Sequence, residues 1–402
     1  MARSSMRTIT CDVAVVGAGP SGSAAARAAA DQGADVLLLE EHPEVGLPVN
    51  CAEGLSLSGL RDAGVEPKPG VVCQEITRAR LYAPNRRYLE LTSSDWVGYT
   101  LNRDVFDRIL AEMAVDAGAE LMTRTRASTV TMENGKVSGV LARRGGEPLR
   151  IDAKVVIGAD GYASVVRRTS GMGKWYPDVV SCAQYRLGNL SLDEPDVNEF
   201  YLGSKVAPGA YAWVFPKSEE VANVGLGVRR IHTEPAIAHL RRFVEADPRF
   251  KEAEIQRVSG GITPVSGVLE RIVGDGVMLV GDAAGQLIPC TGAGVHAGVV
   301  AGRMAGEVAA AAAEGGDVTA SRLAEYRRRF DAVWGKRIRD SGRVVEMLDR
   351  FSDDDLNTLA EVLTSEDVLA LANGKEVART LARVVGRAPL KIVRLVAAYI
   401  RG

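Results

Sequence analysis

The sequence predicts an α/β protein. A dinucleotide-binding domain, split along the chain, is interrupted by an antiparallel-sheet domain and followed by a helical region. Three observations predict this. An apolar run at residues 10–16 feeds Gly17-Ala18-Gly19-Pro20-Ser21-Gly22, then an Ala-rich stretch, then Val36-Leu37-Leu38-Leu39-Glu40. The same logic returns late, in Gly276-Val277-Met278-Leu279-Val280-Gly281-Asp282-Ala283-Ala284-Gly285. Between them, from about Val180 to Val228, come short strand-like segments rich in Tyr, Trp and Val.

The opening segment carries the most chemistry. Strand, G-x-G-x-x-G turn, helix, strand and acid form the βαβ unit that holds a pyrophosphate. Gly17 permits the tight turn, Gly19 admits the pyrophosphate to the backbone, and Gly22 lets helix and strand pack closely. The helix N-terminus adds unpaired N–H groups and partial positive charge. Glu40, 18 residues past Gly22, has the spacing of an acid that binds a ribose hydroxyl.

The remaining elements follow in order. Residues 82–96 read as short antiparallel strands about Pro84-Asn85-Arg86. Residues 102–118 read as a helix, because Val105, Phe106, Ile109, Leu110 and Met113 recur at helical spacing and Gly118 ends it. Asn134-Gly135 marks a hairpin. The strand Lys154-Val155-Val156-Ile157-Gly158 ends in Asp160-Gly161, either a structural turn or a second cofactor contact. Residues 231–246 are helical, and from Ala297 onward the pattern is almost wholly helical. The expected division is a nucleotide domain at 1–80, 100–170 and 262–310, a sheet domain at 81–99 and 171–261, and a helical region at 311–402.

Bulk properties narrow the function. The 402 residues suit two or three domains, and a net charge of -2 gives no electrostatic case for nucleic acid. No apolar run approaches the roughly 18 residues of a membrane span, and residues 1–7 lack the apolar core of a secretory signal. Five scattered cysteines suit a reducing cytoplasm, and no pair has zinc-ligand spacing. The expected location is cytoplasmic, with peripheral contact at the cytoplasmic membrane face left open. Leu390–Arg401 is a short basic, apolar helix that either lies on a bilayer or packs on protein.

In order along the chain, Gly17-x-Gly19-x-x-Gly22, Asp160-Gly161 and Gly281-Asp282-Ala283-Ala284 resemble the FAD-dependent monooxygenase and reductase superfamily of the p-hydroxybenzoate hydroxylase type. That implies a Rossmann-like FAD-binding domain. Four further stretches resemble the geranylgeranyl reductase family. They are Gly46 with Pro48-Val49-Asn50-Cys51-Ala52-Glu53-Gly54-Leu55, Arg103 in Leu101-Asn102-Arg103-Asp104, Tyr211-Ala212-Trp213-Val214-Phe215-Pro216-Lys217, and Pro289-Cys290-Thr291-Gly292-Ala293-Gly294. The Cys51 loop most resembles that of the archaeal digeranylgeranylglycerophospholipid reductases. The resemblance assigns FAD contacts to Ala18, Glu40, Cys51, Ala52, Gly54, Arg103, Ala127, Asp282, Gly294 and Val295.

The implied reaction is saturation of C=C bonds in geranylgeranyl chains of archaeal-type membrane lipid precursors, by hydride transfer from reduced flavin. The alternatives are an aromatic or quinone monooxygenase using NAD(P)H and oxygen, a reductase of another prenyl substrate such as geranylgeranyl diphosphate or menaquinone, and a flavin protein without a substrate tunnel. Reduced ferredoxin and NAD(P)H are both candidate electron donors. Tyr211, Trp213 and Phe215 share one strand face, which either lines an apolar tunnel or forms domain core. Cys51, Tyr211 and His296 are candidate proton sources. Cys51 and Cys290 are expected near the flavin, as a redox-sensitive pair or as two separate thiols.

Overall fold

A computed structural model describes residues 6–92, 98–229, 231–393 and 396. Residues 93–97 and most of Leu390–Arg401, both given expectations above, lie outside the described residues.

The strand Arg7–Val16 sits between two parallel neighbours, Val36–Leu39 and Glu147–Gly158, and Val277–Leu279 continues the sheet beyond the latter. Parallel strands are covered on both faces and so read as unbroken apolar runs. All four residues of Val36–Leu39 are buried. The register sets Val16 opposite both Leu39 and Gly158, and Gly158 opposite Leu279. The glycine turn, Glu40, Asp160 and Asp282 therefore emerge side by side past the carboxyl ends of adjacent strands. That crevice is where open α/β sheets bind ligands. Asn134 and Gly135 take φ 51 and 80, the left-handed pair that a two-residue hairpin needs, between Thr125–Glu133 and Lys136–Arg144.

The first helix, Pro20–Ala30, packs against Val295–Gly315 with little between them. A Cβ on Gly302 would lie 2.0 Å from the Ser21 carbonyl oxygen, and one on Gly306 would lie 2.2 Å from that of Ala25. Glycines four apart share a helix face, and here that face brings the N-termini of both helices to the crevice.

A second, seven-stranded sheet runs in the order Glu254–Pro264, Val179–Gly188, Ala222–Arg229, Ala212–Pro216, Val197–Tyr201, Arg78–Tyr82, Tyr88–Leu91. The helix Ala236–Glu245 covers one face through Leu240 and Phe243, which pack with Tyr185, Leu187, Val214, Val224 and Leu226. This helix begins later than the expected 231, because Pro235 sits at its N-cap. Gly98–Leu101 pairs with Gly54–Ser56 and Val72–Ile76 in a small third sheet. The early strands of the seven-stranded sheet thus span 78–91, not 81–99.

The helical tail divides by packing. Leu323, Tyr326, Phe330, Trp334 and Ile338 join the core of the parallel sheet, so the first part of the expected region 311–402 completes the nucleotide domain. Val344, Met347, Leu359, Leu371 and Leu381 form a separate cluster. Ile392 and Val396, both fully buried, pack into it, which places these two side chains against protein.

Candidate functional site

The glycine turn behaves as its spacing requires. Gly17 has φ +101, and a Cβ there would meet the Ala159 carbonyl oxygen at 2.5 Å. A Cβ on Gly22 would lie 1.8 Å from the Gly17 oxygen, so no side chain fits between helix and turn. At Gly19 the position of a Cβ has no atom within 4 Å, which leaves open space directly at the helix N-terminus. Neither Pro20–Ala30 nor Val295–Gly315 has a side chain capping its first turn.

The acids around this space are held differently. Glu40 accepts from the N–H groups of Ala18 (3.0 Å) and His42 (2.9 Å), and so also fixes the turn. Asp160 Oδ2 caps the short helix Val165–Thr169 through the Val165 and Val166 N–H groups, while its Oδ1 is buried without a partner. Burial pushes the Asp282 carboxyl up to about 6, against the pull of the Arg103 guanidinium. A Cβ on Gly294 would stand 3.4 Å from Asp282 Oδ1, so the loop before Val295–Gly315 passes close to this acid. Arg103 holds Asp107 with two bonds of 2.8 and 2.9 Å. Ala127 lines a groove of about 420 Å³ with Arg126, Ser128, Arg143, Val165 and Arg168.

The aromatic strand answers the question its pattern leaves open. Ala212 and Val214 belong to the core under Ala236–Glu245, whereas Tyr211, Trp213 and Phe215 take the opposite face, toward the nucleotide domain. Three rows cross this face in register. One holds Tyr211, Gly227, Cys182 and Gly261. The next holds Trp213, Gly225, Gln184 and Ser259. The third holds Phe215, Asn223, Arg186 and Arg257. The sheet face grades from apolar to cationic over four residues of strand, about 13 Å.

The loop carrying Cys51 lies against these rows. Tyr211 Oη donates to the Thr291 carbonyl oxygen. Trp213 Nε1 donates to Gln184 Oε1 (2.9 Å), and Gln184 Nε2 donates to the Cys51 oxygen (3.0 Å). Phe215 closes on Gly54, where a Cβ would meet its ring at 3.0 Å. The loops thus seat directly on the rings, so of the two readings left open by the pattern, this face is not the core beneath Ala236–Glu245 but the side that meets the Cys51 loop. Open grooves of about 430 and 420 Å³ lie elsewhere, the first between Val45 and Arg108 and the second at Ala127.

Glu53 is the anchor of that loop. Its side chain is 0% exposed and its backbone is left-handed, with φ 74. Its carboxylate accepts from Lys217 Nζ (2.9 Å), Asn223 Nδ2 (2.7 Å), the Arg103 N–H (3.1 Å) and an Arg186 guanidinium nitrogen. Burial pushes this carboxyl up, but the charge of Lys217 and the hydrogen bonds outweigh it and hold the group below the usual carboxylate range. None of these four partnerships was foreseen. The available signals were a lysine ending an aromatic strand and an asparagine inside the apolar run Ala222–Arg229.

Among the candidate proton sources, Cys51 and Tyr211 are brought together and His296 is not. Burial pushes the Tyr211 phenol upward, with Cys182, Cys290 and Cys51 close enough to add to it. Burial likewise pushes the Cys182 and Cys290 thiols up to about 11. Cys51 and Cys290 are both free thiols, which matches the second of the two arrangements left open above. His296 hydrogen-bonds Asp62 at 2.6 Å and lies edge-on to Trp334, which turns its ring toward the helix Leu57–Ala63.

The crevice fits FAD on its own chemistry. Open space at Gly19, two uncapped helix N-termini, the orphaned Asp160 oxygen, and Asp282 within the field of the Arg103 guanidinium match a negatively charged, hydroxyl-rich dinucleotide. Comparison with known proteins agrees. A model of the geranylgeranyl reductase catalytic domain matches residues 178–262, and a model of the FAD dependent oxidoreductases matches residues 12–172. Digeranylgeranylglycerophospholipid reductase 2 of Methanopyrus kandleri is 42% identical over 387 residues, covering 94% of this chain and 96% of the relative. The digeranylgeranylglycerophospholipid reductase of Methanothrix thermoacetophila is 46% identical over 365 residues, covering 89% and 92%. Among solved structures, a geranylgeranyl bacteriochlorophyll reductase-like protein from Thermoplasma acidophilum superposes with a TM-score of 0.88 at 35% identity, over 98% of this chain and 100% of that one. A flavin-dependent brominase at 19% identity shares the fold, with a TM-score of 0.71 over 98% of each chain.

Proposed function

The chain belongs to the geranylgeranyl reductase family of FAD-dependent oxidoreductases, and from that premise we propose that it saturates the C=C bonds of geranylgeranyl chains in archaeal-type glycerophospholipid precursors. The observation that carries this reading is the orientation of the aromatic strand. Tyr211, Trp213 and Phe215 face the cofactor domain and not their own core, an apolar surface beneath the Cys51 loop that suits an isoprenoid chain.

Bound FAD, when reduced, supplies the hydride for one alkene carbon. The protein's part is to align the chain, exclude water and hold a proton for the other carbon. An unactivated alkene develops no oxyanion for the protein to stabilise, so alignment is the main lever. Trp213 is fixed by Gln184 and further restrained by Gly225, where a Cβ would meet its indole at 2.4 Å. Cys51 and Tyr211 are candidate proton-bearing side chains beside that face, and burial keeps the Tyr211 phenol protonated. Arg103 and Asp282 would hold the cofactor's charged middle, Glu40 its adenosine ribose, and the backbone at Gly294 and Val295 would stand beside its ring.

The parallel sheet accounts for one dinucleotide, and reduced ferredoxin and NAD(P)H both stand as electron donors. No described helix is long and apolar enough to cross a membrane. A lipid substrate calls for peripheral contact with the cytoplasmic membrane face, through surfaces other than the buried Ile392 and Val396. The test is anaerobic incubation of the dithionite-reduced enzyme with digeranylgeranylglyceryl phospholipid, followed by mass spectrometry. Successive two-hydrogen mass increments support the reading, and their absence overturns it.

A further inference from the structure

Arg257 and Arg186 stand directly opposite each other on neighbouring strands, on the face turned toward the Cys51 loop. Like charges in that position repel, so the arrangement needs a reason. Arg186 has its own compensation, since it donates to Glu53 and to Asn223. Arg257 does not: its Nη2 is buried without a hydrogen-bond partner. Burial and the neighbouring Arg186 charge both work against its protonated form, and the carboxylates of Glu53 and Asp104 offset them only in part. A cation left in this state fits an anion from outside the chain.

Position says which anion. Arg257 ends the row Phe215–Asn223–Arg186–Arg257 on the edge strand Glu254–Pro264. It lies four residues of strand, about 13 Å, from the row that holds Tyr211 and Cys182. A substrate lying along this edge strand, past Ser259 and Gly261, would have its isoprenoid end at the row of Tyr211 and Cys182 and its polar end at Arg257. We propose that Arg257, supported by Arg186, binds the phosphate of the lipid headgroup and so selects phosphate-bearing glycerolipids over neutral prenyl alcohols. This rests on the prenyl-lipid reading above. The shared chemistry is a phosphate oxygen accepting from guanidinium, which a free phosphate ion could also supply.

The test compares holoenzyme and Arg257→Gln on digeranylgeranylglyceryl phosphate and on phosphate-free digeranylgeranylglycerol. Lipid binding is followed by tryptophan fluorescence and turnover by hydrogen uptake. Losing a charge-assisted hydrogen bond weakens binding by about tenfold to a hundredfold. KM and the binding constant for the phosphate-bearing lipid rise by that factor in Arg257→Gln, those for the neutral lipid move less than about twofold, and Arg257→Lys recovers part of the loss. Equal effects on both lipids overturn the proposal. So does added inorganic phosphate changing activity on both lipids alike, which marks the site as one for the free ion. Loss of flavin from Arg257→Gln overturns it too, by assigning the cation to the cofactor. If wild type reduces neither lipid, the functional reading fails, and the binding comparison still decides the role of Arg257.

Discussion

Replacing Glu53 by glutamine keeps its shape and removes its charge. Lys217, whose side chain is only 6% exposed, then loses its buried counter-charge and keeps only neutral acceptors, the Leu101 oxygen and the new amide oxygen. Arg186, 21% exposed, can still reach water. Removing one partner of a buried ion pair costs about 3–5 kcal/mol, mostly because the other charge stays buried and alone. Against a typical stability of about 5–15 kcal/mol, that is a large loss. Glu53→Gln with Lys217→Met removes both charges and recovers about half of it. Urea unfolding of the flavin-loaded proteins, followed by circular dichroism and flavin fluorescence, measures these values. The pH dependence adds a second mark. The folded Glu53 carboxyl sits below its ordinary 4.5, so its contribution is present above pH 4.5 and is lost as pH falls through the lower folded value. Wild type therefore loses more stability along that acid limb than Glu53→Gln does. A single-mutant loss under about 1 kcal/mol, or a double mutant no more stable than the single, would refute the hub.

Three other outcomes follow from the site. Asp282, raised to about 6 from 3.8, favours folding when protonated, and that contribution is lost as pH rises from about 4 to about 6. In flavin-stripped protein at pH 7, Asp282→Asn therefore gains about 1–3 kcal/mol in thermal unfolding, while flavin affinity falls; a stability gain at pH 3 as large as at pH 7 contradicts this. Tyr211→Phe removes the hydrogen bond to Thr291 and a proton source, and lowers kcat about a hundredfold with flavin content unchanged. Retention of more than half the activity removes Tyr211 from the chemistry. His296→Ala breaks a part-exposed pair with Asp62 worth about 0.2–1 kcal/mol and leaves turnover near wild type. A hundredfold fall in kcat would return His296 to the list of proton donors.

The legible parts of this protein are those whose physics is local. Gly17, Gly19 and Gly22 act within one turn, and Asn134-Gly135 declares its hairpin through the φ values its residues tolerate. The apolar runs ending in Glu40, Asp160 and Asp282 announce parallel strands, and parallel strands align their ends. Glu53 was not legible. Its partners stand 50, 133, 164 and 170 residues away, and nothing in a short window distinguishes a buried hub from a solvated acid. His296 was misplaced for the converse reason. Its nearness to Gly294 in sequence suggested the flavin, but the first turn of the helix points it at Asp62.

By itself, then, the sequence determined the cofactor end. Turn chemistry and strand periodicity suffice for a dinucleotide, because each is a constraint among near neighbours, and the family resemblance of three motifs in order makes it FAD. Only the tertiary structure decided what the aromatic strand does. Alternation puts Tyr211, Trp213 and Phe215 on one face, but which of two faces is buried against its own helix depends on Ala236–Glu245 packing over Ala212 and Val214. The same packing leaves the other face free to meet the Cys51 loop. It also sets Arg257 beside Arg186, because register between strands some seventy residues apart is fixed by burial and not by any local preference.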